Sequence, residues 1–332
     1  MKLHKNSFIW IGVLCLAFFA ESFVKDAFTP VTYDIFIYAG INIILALSLN
    51  LVNGFTGQFS IGHAGFMAVG AYTAGLITMS TSAQMSALND KPVLFFLFFT
   101  AVLIASGLVA AMFGVILGMP TLKLKGDYLA IVTLGFGEII RVLLLNLDFV
   151  GGARGMPGIP KYTNFSWVWF WIVITLFVMQ RLVVSQVGRG LKSIREDEIA
   201  AESVGINTTS LKIQAFTISA FFAGVAGGLF AHYLTFLTPS IFDFNKSFEV
   251  IIMVVLGGMG SLTGSVVAAF GLTYLREWLR DLQQLTQVDL RMIIYSLILI
   301  GLMLVKPNGI MGEQEIGDVW KKLKNKFKGK TA

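Results

Sequence analysis

Long apolar runs separated by short polar segments dominate the hydropathy pattern of the chain. A membrane-spanning helix needs about 20 mostly apolar residues to cross the hydrocarbon layer of a bilayer. Nine runs approach or exceed that length: residues 8–24, 35–52, 61–79, 93–119, 128–147, 165–184, 213–242, 250–275 and 288–305. The pattern therefore predicts an all-α integral membrane protein with about nine to ten transmembrane segments.

Glycines interrupt two of these runs. The run 61–79 contains Gly62, Gly65 and Gly70, and the run 250–275 contains the segment GGMGSLTG at residues 257–264. Gly-x-x-x-Gly spacing, which lets membrane helices approach closely, occurs at 114/118, 224/228 and 260/264. We expect glycine-broken or re-entrant helices in the two interrupted runs, with tight helix packing as the competing interpretation of their glycines.

The composition excludes a water-soluble globular protein. Of the 332 residues, 56% are hydrophobic and 13% are charged, whereas soluble domains carry about 25% charged residues. The single cysteine, Cys15, can form neither an intramolecular disulfide nor a cysteine-based metal site. Because the three histidines are scattered as well, we predict no metal site, no cofactor in this chain and no catalytic residues.

The distribution of Lys and Arg predicts the topology, because positive residues are retained on the cytoplasmic side. With the N-terminus inside, nine simple spans would place the lysine-rich tail outside. The conflict disappears if the run 250–275 enters the membrane and returns to the same face, or if the region 213–242 holds an extra short helix. Lys246 and Arg276 then fall in outer loops, and both termini are cytoplasmic.

This topology predicts a single transmembrane domain over residues 1–305 and a basic cytoplasmic tail over residues 306–332. Within the domain, residues 185–212 form a polar cytoplasmic loop. Leu191, Ile194, Glu198 and Ala201 recur there at three- and four-residue spacings, and Gly205 is a natural helix terminator. We predict a short surface helix, which is either a solvated connector or a segment that docks into a groove on a cytoplasmic partner.

Five stretches occur in one order along the chain: NGFTGQFSIGHAGF at 53–66, KGDYLAIVTL at 125–134, GGARGMPGIP at 151–160, GRGLKSIREDEIAA at 188–201 and MVVLGGMGSLTG at 253–264. Together they resemble the branched-chain amino acid ABC transporter permeases, the M-type subunit of that importer. One departure is Gly190, where the family usually has alanine; glycine would loosen the helix start by up to about 1 kcal/mol.

The resemblance implies an ABC importer permease fold in a bacterial inner membrane. It implies a homologous second permease, two cytoplasmic ATPase subunits that bind ATP-Mg, and an extracytoplasmic solute-binding protein, with no nucleic acid partner. ATP-driven closure of the ATPases would move the helix near 195–205 as a rigid lever. The residues assigned to this coupling are Gly188, Arg189, Lys192, Arg195, Glu196, Asp197, Glu198, Ala200, Ala201, Glu202 and Gly205.

Candidate residues for the translocation path are fewer and each has a structural alternative. Glu138 and Arg141 lie at i,i+3 in the run 128–147, and form either a self-neutralising pair or part of a gate or path. His63 either contacts the ligand or is a packed, hydrogen-bonded histidine. The candidate set is Gln58, Ser60, His63, Tyr128, Thr133, Glu138, Arg141, Gly257, Gly258, Gly260 and Ser261.

The resemblance leaves the solute open between branched-chain or other hydrophobic amino acids and the amides, urea or small amino acids carried by similar permeases. A stand-alone secondary carrier is the rival in another class, and it predicts uptake by this chain alone with an ion gradient.

Overall fold

The computed structural model describes residues 29–81, 91–121 and 127–286, and beyond them 294, 296–297, 300–301, 304–305, 309–312 and 315. In chain order its helices are α1 Pro30–Asn50, α2 His63–Ser80, α3 Pro92–Thr121, α4 Asp127–Asn146, α5 Phe165–Val184, α6 Gln186–Glu196, α7 Glu198–Ser203, α8 Thr208–Leu234, α9 Phe244–Gly257 and α10 Leu262–Thr286. A π-helical turn, Leu51–Phe55, continues α1. Strand β1, Met156–Pro157, pairs antiparallel with β2, Phe236–Leu237.

Several helices begin at a side chain that caps their first free N–H groups. Asn164 accepts a hydrogen bond from the Trp167 backbone N–H at the start of α5, and Asn207 and Asp243 cap α8 and α9 in the same way. At α1, the Thr29 side chain caps the helix and Pro30 is its first residue. Short polar side chains between apolar runs thus fix where the helices start.

Five described helices are long and apolar enough to cross a membrane: Pro30–Phe55, Pro92–Met119, Tyr128–Asn146, Phe165–Val184 and Thr208–Leu234. They confirm the all-α membrane class. The predicted span 8–24, most of 288–305 and most of the tail 306–332 lie outside the described residues. The total number of spans therefore stays a prediction.

The prediction that residues 213–242 form one continuous span is wrong. Helix α8 ends at Leu234, because Thr235 adopts a left-handed conformation with φ +64°. The apolar residues that follow form β2 and the short 3₁₀ helix Pro239–Phe242. Whether the region adds a membrane crossing, for which the extra short helix was considered, stays a prediction.

Helices α1 and α8 form the centre of the bundle. In their spans 83% and 72% of the residues are buried, against 28–39% in α3, α4 and α5. Small residues allow this packing: Gly224 of α8 lies against α2 and α3, and a Cβ on Gly228 would lie 2.8 Å from Leu103 Cδ2. The Gly-x-x-x-Gly pair at 224/228 is therefore a close-approach surface.

The glycine-containing run 61–79 is interrupted at its beginning, not within it. Non-helical residues 57–62 follow the π-helical turn, and α2 then runs continuously from His63. Gly65 and Gly70 lie inside α2, where a Cβ on Gly65 would come within 2.9 Å of Gly137 Cα and Gly70 lies against the Gly224 backbone. These two glycines serve tight packing.

The run 250–275 contains the predicted break. Helix α9 ends at Gly257 and α10 begins at Leu262, and the two helices pack against each other. Gly258 and Gly260 in the turn have φ +114° and +91°, which side chains other than glycine rarely adopt. The break thus forms a helical hairpin.

Candidate functional site

The polar loop between α5 and α8 forms two short helices, so the prediction of one helix is wrong. Asp197 has φ −158° and ψ 110°, an extended conformation that ends α6. Its side chain then caps α7 by accepting from the Ile199 and Ala200 backbone N–H groups at 2.9 and 3.0 Å. Gly205, with φ +85°, follows α7 as predicted for a terminator. The loop is two rigid pieces joined at Asp197.

One face of α6 is buried against the transmembrane helices. Gly188, Gly190, Leu191 and Ile194 form this face. A Cβ on Gly190 would lie 2.6 Å from Leu211 Cδ1 in α8. An alanine at this position would therefore need a shift of the end of the Leu211 side chain.

Arg195 connects α6 to the end of α1. Its Nη1 donates to the Gly54 carbonyl oxygen at 3.1 Å, and its Nη2 pairs with Glu196 Oε1 at 2.9 Å. Gly57 and Gly260 adjoin the same side chain: a Cβ on Gly57 would lie 2.7 Å from Arg195 Cγ, and one on Gly260 would lie 2.9 Å from Nη1. Arg195 thus contacts both the π-helical turn and the glycine turn of the α9–α10 hairpin.

Helix α7 is tied to the first turns of α8. Lys212 Nζ and Glu198 Oε1 are 2.6 Å apart, and the lysine side chain is only 3% exposed. Nearby, the Thr208 hydroxyl donates to Glu202 Oε1 at 2.7 Å. Two of the residues assigned to coupling therefore also fix the position of α7 on α8.

The opposite side of the helix pair is open. Ile199 and Val204 are exposed apolar side chains, at 69% and 77%, and Glu196 and Ala200 lie exposed beside them. Lys192 is also on the surface, with its Nζ 5.7 Å from the centre of the Phe55 ring. An anchored inner face with a mixed apolar and charged outer face is the arrangement expected of a segment that docks on a partner.

The glycine turn of the hairpin is fixed by Asn50 at the end of α1. Asn50 Oδ1 accepts from the Gly260 N–H at 2.9 Å, while Nδ2 donates to the Ser261 carbonyl at 2.8 Å and to Ser265 Oγ at 2.9 Å. Gly257 and Gly264 lie backbone to backbone across the hairpin. The candidates Gly257, Gly258, Gly260 and Ser261 therefore lie at the end of the helices beside Arg195.

A segment near the C-terminal end of the chain contacts the same turn. The backbone N–H groups of Ile310 and Met311 donate to the carbonyls of Leu256 and Gly257 at 2.9 and 3.2 Å. Glu315 caps α10 by accepting from the Leu262 and Thr263 N–H groups. The α6–α7 pair, the hairpin turn, residues 309–312 and Glu315 thus lie at one end of the described part of the chain.

Besides the four candidates of the hairpin turn, four further predicted path residues are buried. His63 is 2% exposed and its Nε2 lies 2.8 Å from Ser48 Oγ. Thr133 Oγ1 accepts from the Ile61 N–H, and the Ser60 N–H donates to Asn53 Oδ1. Gln58 is also buried, and its Oε1 has no partner among the described residues. This is the packed, hydrogen-bonded arrangement that was the alternative to ligand contact for His63.

Glu138 and Arg141 remain accessible. The Nε and Nη2 atoms of Arg141 each lie 2.7 Å from Glu138 Oε2, and the side chains are 29% and 36% exposed for Arg141 and Glu138. Tyr128, in the first turn of α4, is 69% exposed. These three candidates lie on α4.

A buried charged cluster was missed by the sequence analysis. Lys246 and Arg276 do not lie in outer loops: both pair with Glu249, at 3.1 and 2.7 Å, inside α9 and α10. Lys246 also donates to Asn42 Oδ1 at 3.0 Å, and Asn42 Nδ2 donates to Thr273. Asn42, an amide in the middle of the apolar run 35–52, was the available signal that polar partners had to be near.

Comparisons with known proteins agree with the family that the sequence motifs resemble. A family model described as branched-chain amino acid transport system, permease component, matches residues 31–305. The chain is 38% identical to the high-affinity branched-chain amino acid transport system permease protein LivM of Escherichia coli K12, over 84% of this chain and 70% of that protein.

More distant relatives include both kinds of permease. A probable LivM of Methanocaldococcus jannaschii is 25% identical over 85% of this chain and 93% of that protein. The LivH permease of Escherichia coli K12 is 24% identical over 83% of this chain and 92% of that protein. No solved structure matches the chain significantly.

Proposed function

The chain belongs to the branched-chain amino acid transport permease family, and on that premise we propose how it works as one part of an ATP-driven importer. It is the membrane-embedded permease subunit of such a transporter. It acts beside a homologous second permease, and two cytoplasmic ATPase subunits bind ATP-Mg and hydrolyse ATP. A solute-binding protein outside the membrane delivers the substrate.

The construction of the α6–α7 pair is the observation that carries this proposal. Its inner side is fixed to α1 and α8 through Arg195 and Lys212, while Ile199 and Val204 are exposed on its outer side. An ATPase groove that holds the exposed side would pull on the ends of two central transmembrane helices. The extended residue Asp197 is the joint about which α7 would turn relative to α6.

The residues predicted for the path divide into two groups in this proposal. In the first group, a movement of Arg195 shifts the glycine turn of the hairpin, which contains Gly257, Gly258, Gly260 and Ser261. His63, Gln58, Ser60 and Thr133 hold the non-helical entry to α2. The path itself passes Glu138 and Arg141, the accessible charges of α4.

The orientation also follows from the coupling role. ATPases are cytoplasmic, so α6, α7 and the hairpin turn face the cytoplasm, and so do Ile310, Met311 and Glu315, which contact this turn. We propose a cytoplasmic C-terminus, and a cytoplasmic N-terminus from the positive-inside pattern. A reporter fused after Ala332 is expected to read cytoplasmic, and a periplasmic result would contradict the orientation.

Reconstitution in proteoliposomes tests the function. With the second permease, the ATPases and the binding protein present, leucine uptake is expected to require internal ATP. The chain alone with a sodium or proton gradient is the control, and it should show no uptake, whereas a secondary carrier would transport. ATP-independent uptake by the chain alone would overturn the proposal.

Branched-chain and other hydrophobic amino acids are the proposed solutes. The family name of the relatives supports this class. Equilibrium binding to the purified binding protein decides between leucine, isoleucine or valine and the amides, urea or small amino acids.

A further inference from the structure

Residues 309–312 and Glu315 form a clasp on the break between α9 and α10. The backbone N–H groups of Ile310 and Met311 donate to the carbonyls of the last two residues of α9, at 2.9 and 3.2 Å. The Glu315 carboxylate accepts from two backbone N–H groups and from the Thr263 hydroxyl in the first turn of α10. Because helix ends leave such groups without partners inside the helix, the clasp satisfies both sides of the break.

Two glycines let the clasp lie directly against the hairpin turn. Gly309 has φ +79°, and a Cβ there would lie 2.6 Å from Gly258 Cα, so the two backbones are in contact. The same turn contains Gly260, which adjoins Arg195 of α6. The clasp therefore fixes the place where the rest of the chain leaves the bundle, beside the contact between the hairpin and α6.

The chain after Glu315 lies outside the described residues, and its sequence is basic and amphipathic. Residues 319–332 contain six lysines and neither Asp nor Glu. On a helical projection the large apolar residues of this stretch fall within about 100° of one another: Val319, Trp320, Leu323 and Phe327. Asn325 falls on the opposite side. Lysines on one face and Trp, Leu and Phe on the other are typical of helices that lie in a membrane interface.

The position of the clasp brings this stretch to the membrane surface. Glu315 is held at the first turn of α10, where the hairpin ends. Trp320 follows Glu315 by five residues, which span at most about 18 Å. The aromatic and basic residues that follow can therefore reach the headgroup layer around this end of the bundle.

We propose that residues 316–330, placed by the clasp, bind the anionic phospholipid headgroups of the cytoplasmic leaflet. The choice of leaflet rests on the proposed importer function and its orientation. Each lysine near an anionic membrane strengthens binding by about fivefold, and tryptophan suits the headgroup level. The chain would then hold a lipid contact next to the turn that Arg195 touches.

Fluorescence quenching tests the contact. In a Cys15→Ala background, a fluorophore is attached to Leu323→Cys, or to Asn325→Cys as the matched control on the opposite face, in the complete transporter. In vesicles with about 30% phosphatidylglycerol, spin-labelled lipid should quench position 323 at least about threefold more than position 325. Equal quenching at the two positions would overturn the proposal.

Lipid charge and salt provide tests that need no further substitution. Vesicles of phosphatidylcholine alone should remove most of the difference between the two positions, and so should about 1 M salt, which shortens the Debye length to about 3 Å. A difference that is independent of phosphatidylglycerol would overturn the electrostatic contact. A difference that appears only when the ATPase subunits are present would assign the stretch to an acidic protein surface and overturn the lipid contact.

Replacing all six lysines with glutamine removes the charge and keeps the apolar face. The dependence of quenching on phosphatidylglycerol should disappear, and its persistence would overturn the role of the lysines. Because these lysines also favour a cytoplasmic tail, a reporter after Ala332 checks the orientation of the variant. If the orientation changes, the lipid and salt tests on the unsubstituted tail decide.

Leucine uptake in the same vesicles separates the two claims. ATP-driven uptake without the expected quenching refutes only the lipid contact. Quenching at position 323 without ATP-driven uptake refutes the importer function and leaves the contact with anionic lipid assigned.

Discussion

Replacing Arg195 with alanine tests whether α6 passes motion to the transmembrane helices. The change removes the hydrogen bond from Nη1 to the Gly54 carbonyl, 3.1 Å long and partly buried. A hydrogen bond from a charged group contributes about 1.5–3 kcal/mol, and about 1.4 kcal/mol corresponds to a factor of ten. We therefore expect leucine uptake per ATP hydrolysed to fall by about tenfold to a hundredfold, while the subunits still assemble.

Glu196→Ala is the matched control, because Glu196 is the other partner of the same guanidinium. Its side chain is 74% exposed, and exposed ion pairs contribute at most about 1 kcal/mol. Its loss should change the ratio of uptake to hydrolysis by less than about fivefold. Both rates are measured in the same proteoliposomes. An unchanged ratio in Arg195→Ala would refute the mechanical role of Arg195, whereas a loss in Glu196→Ala would be assigned to the exposed docking side of the helix pair, where Glu196 also lies.

Three further substitutions test the surroundings of this contact. Gly260→Ala places a methyl group at φ +91° and 2.9 Å from a guanidinium nitrogen, so it should lower the free energy of unfolding by about 1–2 kcal/mol, measured by thermal melting. Gly271→Ala is the control and should leave the stability unchanged, because a Cβ there meets nothing within 4 Å. Equal melting temperatures for the two variants would contradict the strain at Gly260. Lys212→Met leaves Glu198 unpaired and should cost about 2–3 kcal/mol, since that carboxylate is partly exposed; adding Glu198→Gln should recover at least half, and no recovery would speak against the pair. Gly205→Pro is incompatible with φ +85°, so uptake should be abolished with membrane insertion intact, and normal uptake would remove α7 from the mechanism.

Hydropathy alone predicts the spans whose ends are polar. The predicted runs 93–119, 128–147 and 165–184 agree with α3, α4 and α5 within a few residues. Phe236, Leu237 and Phe242 extend the next run because they are apolar, yet the left-handed Thr235 has already ended α8. The backbone conformation of Thr235 decides that boundary, and a hydropathy sum does not contain this information.

In the polar loop 185–212, the sequence predicts helical structure but does not predict the break between the two short helices. The spacing of Leu191, Ile194 and Ala201 correctly predicts helical structure with buried positions at those residues. The break at Asp197 depends on whether its carboxylate caps the next turn or points to solvent, and both choices fit the sequence. Contacts with α8, through Glu198 and Lys212, favour the capped arrangement.

The buried charged cluster joins the hairpin to α1. Charge counting placed Lys246 and Arg276 in outer loops because each basic residue was considered alone. In the fold, Glu249 pairs with both cations, and Asn42 joins them to α1. Breaking such a network costs about 3–5 kcal/mol, which is more than the contact at Arg195 contributes and far more than an exposed pair contributes. A pull on α6 would therefore move α1, α9 and α10 as one body, and the start of α9 would shift against Glu138.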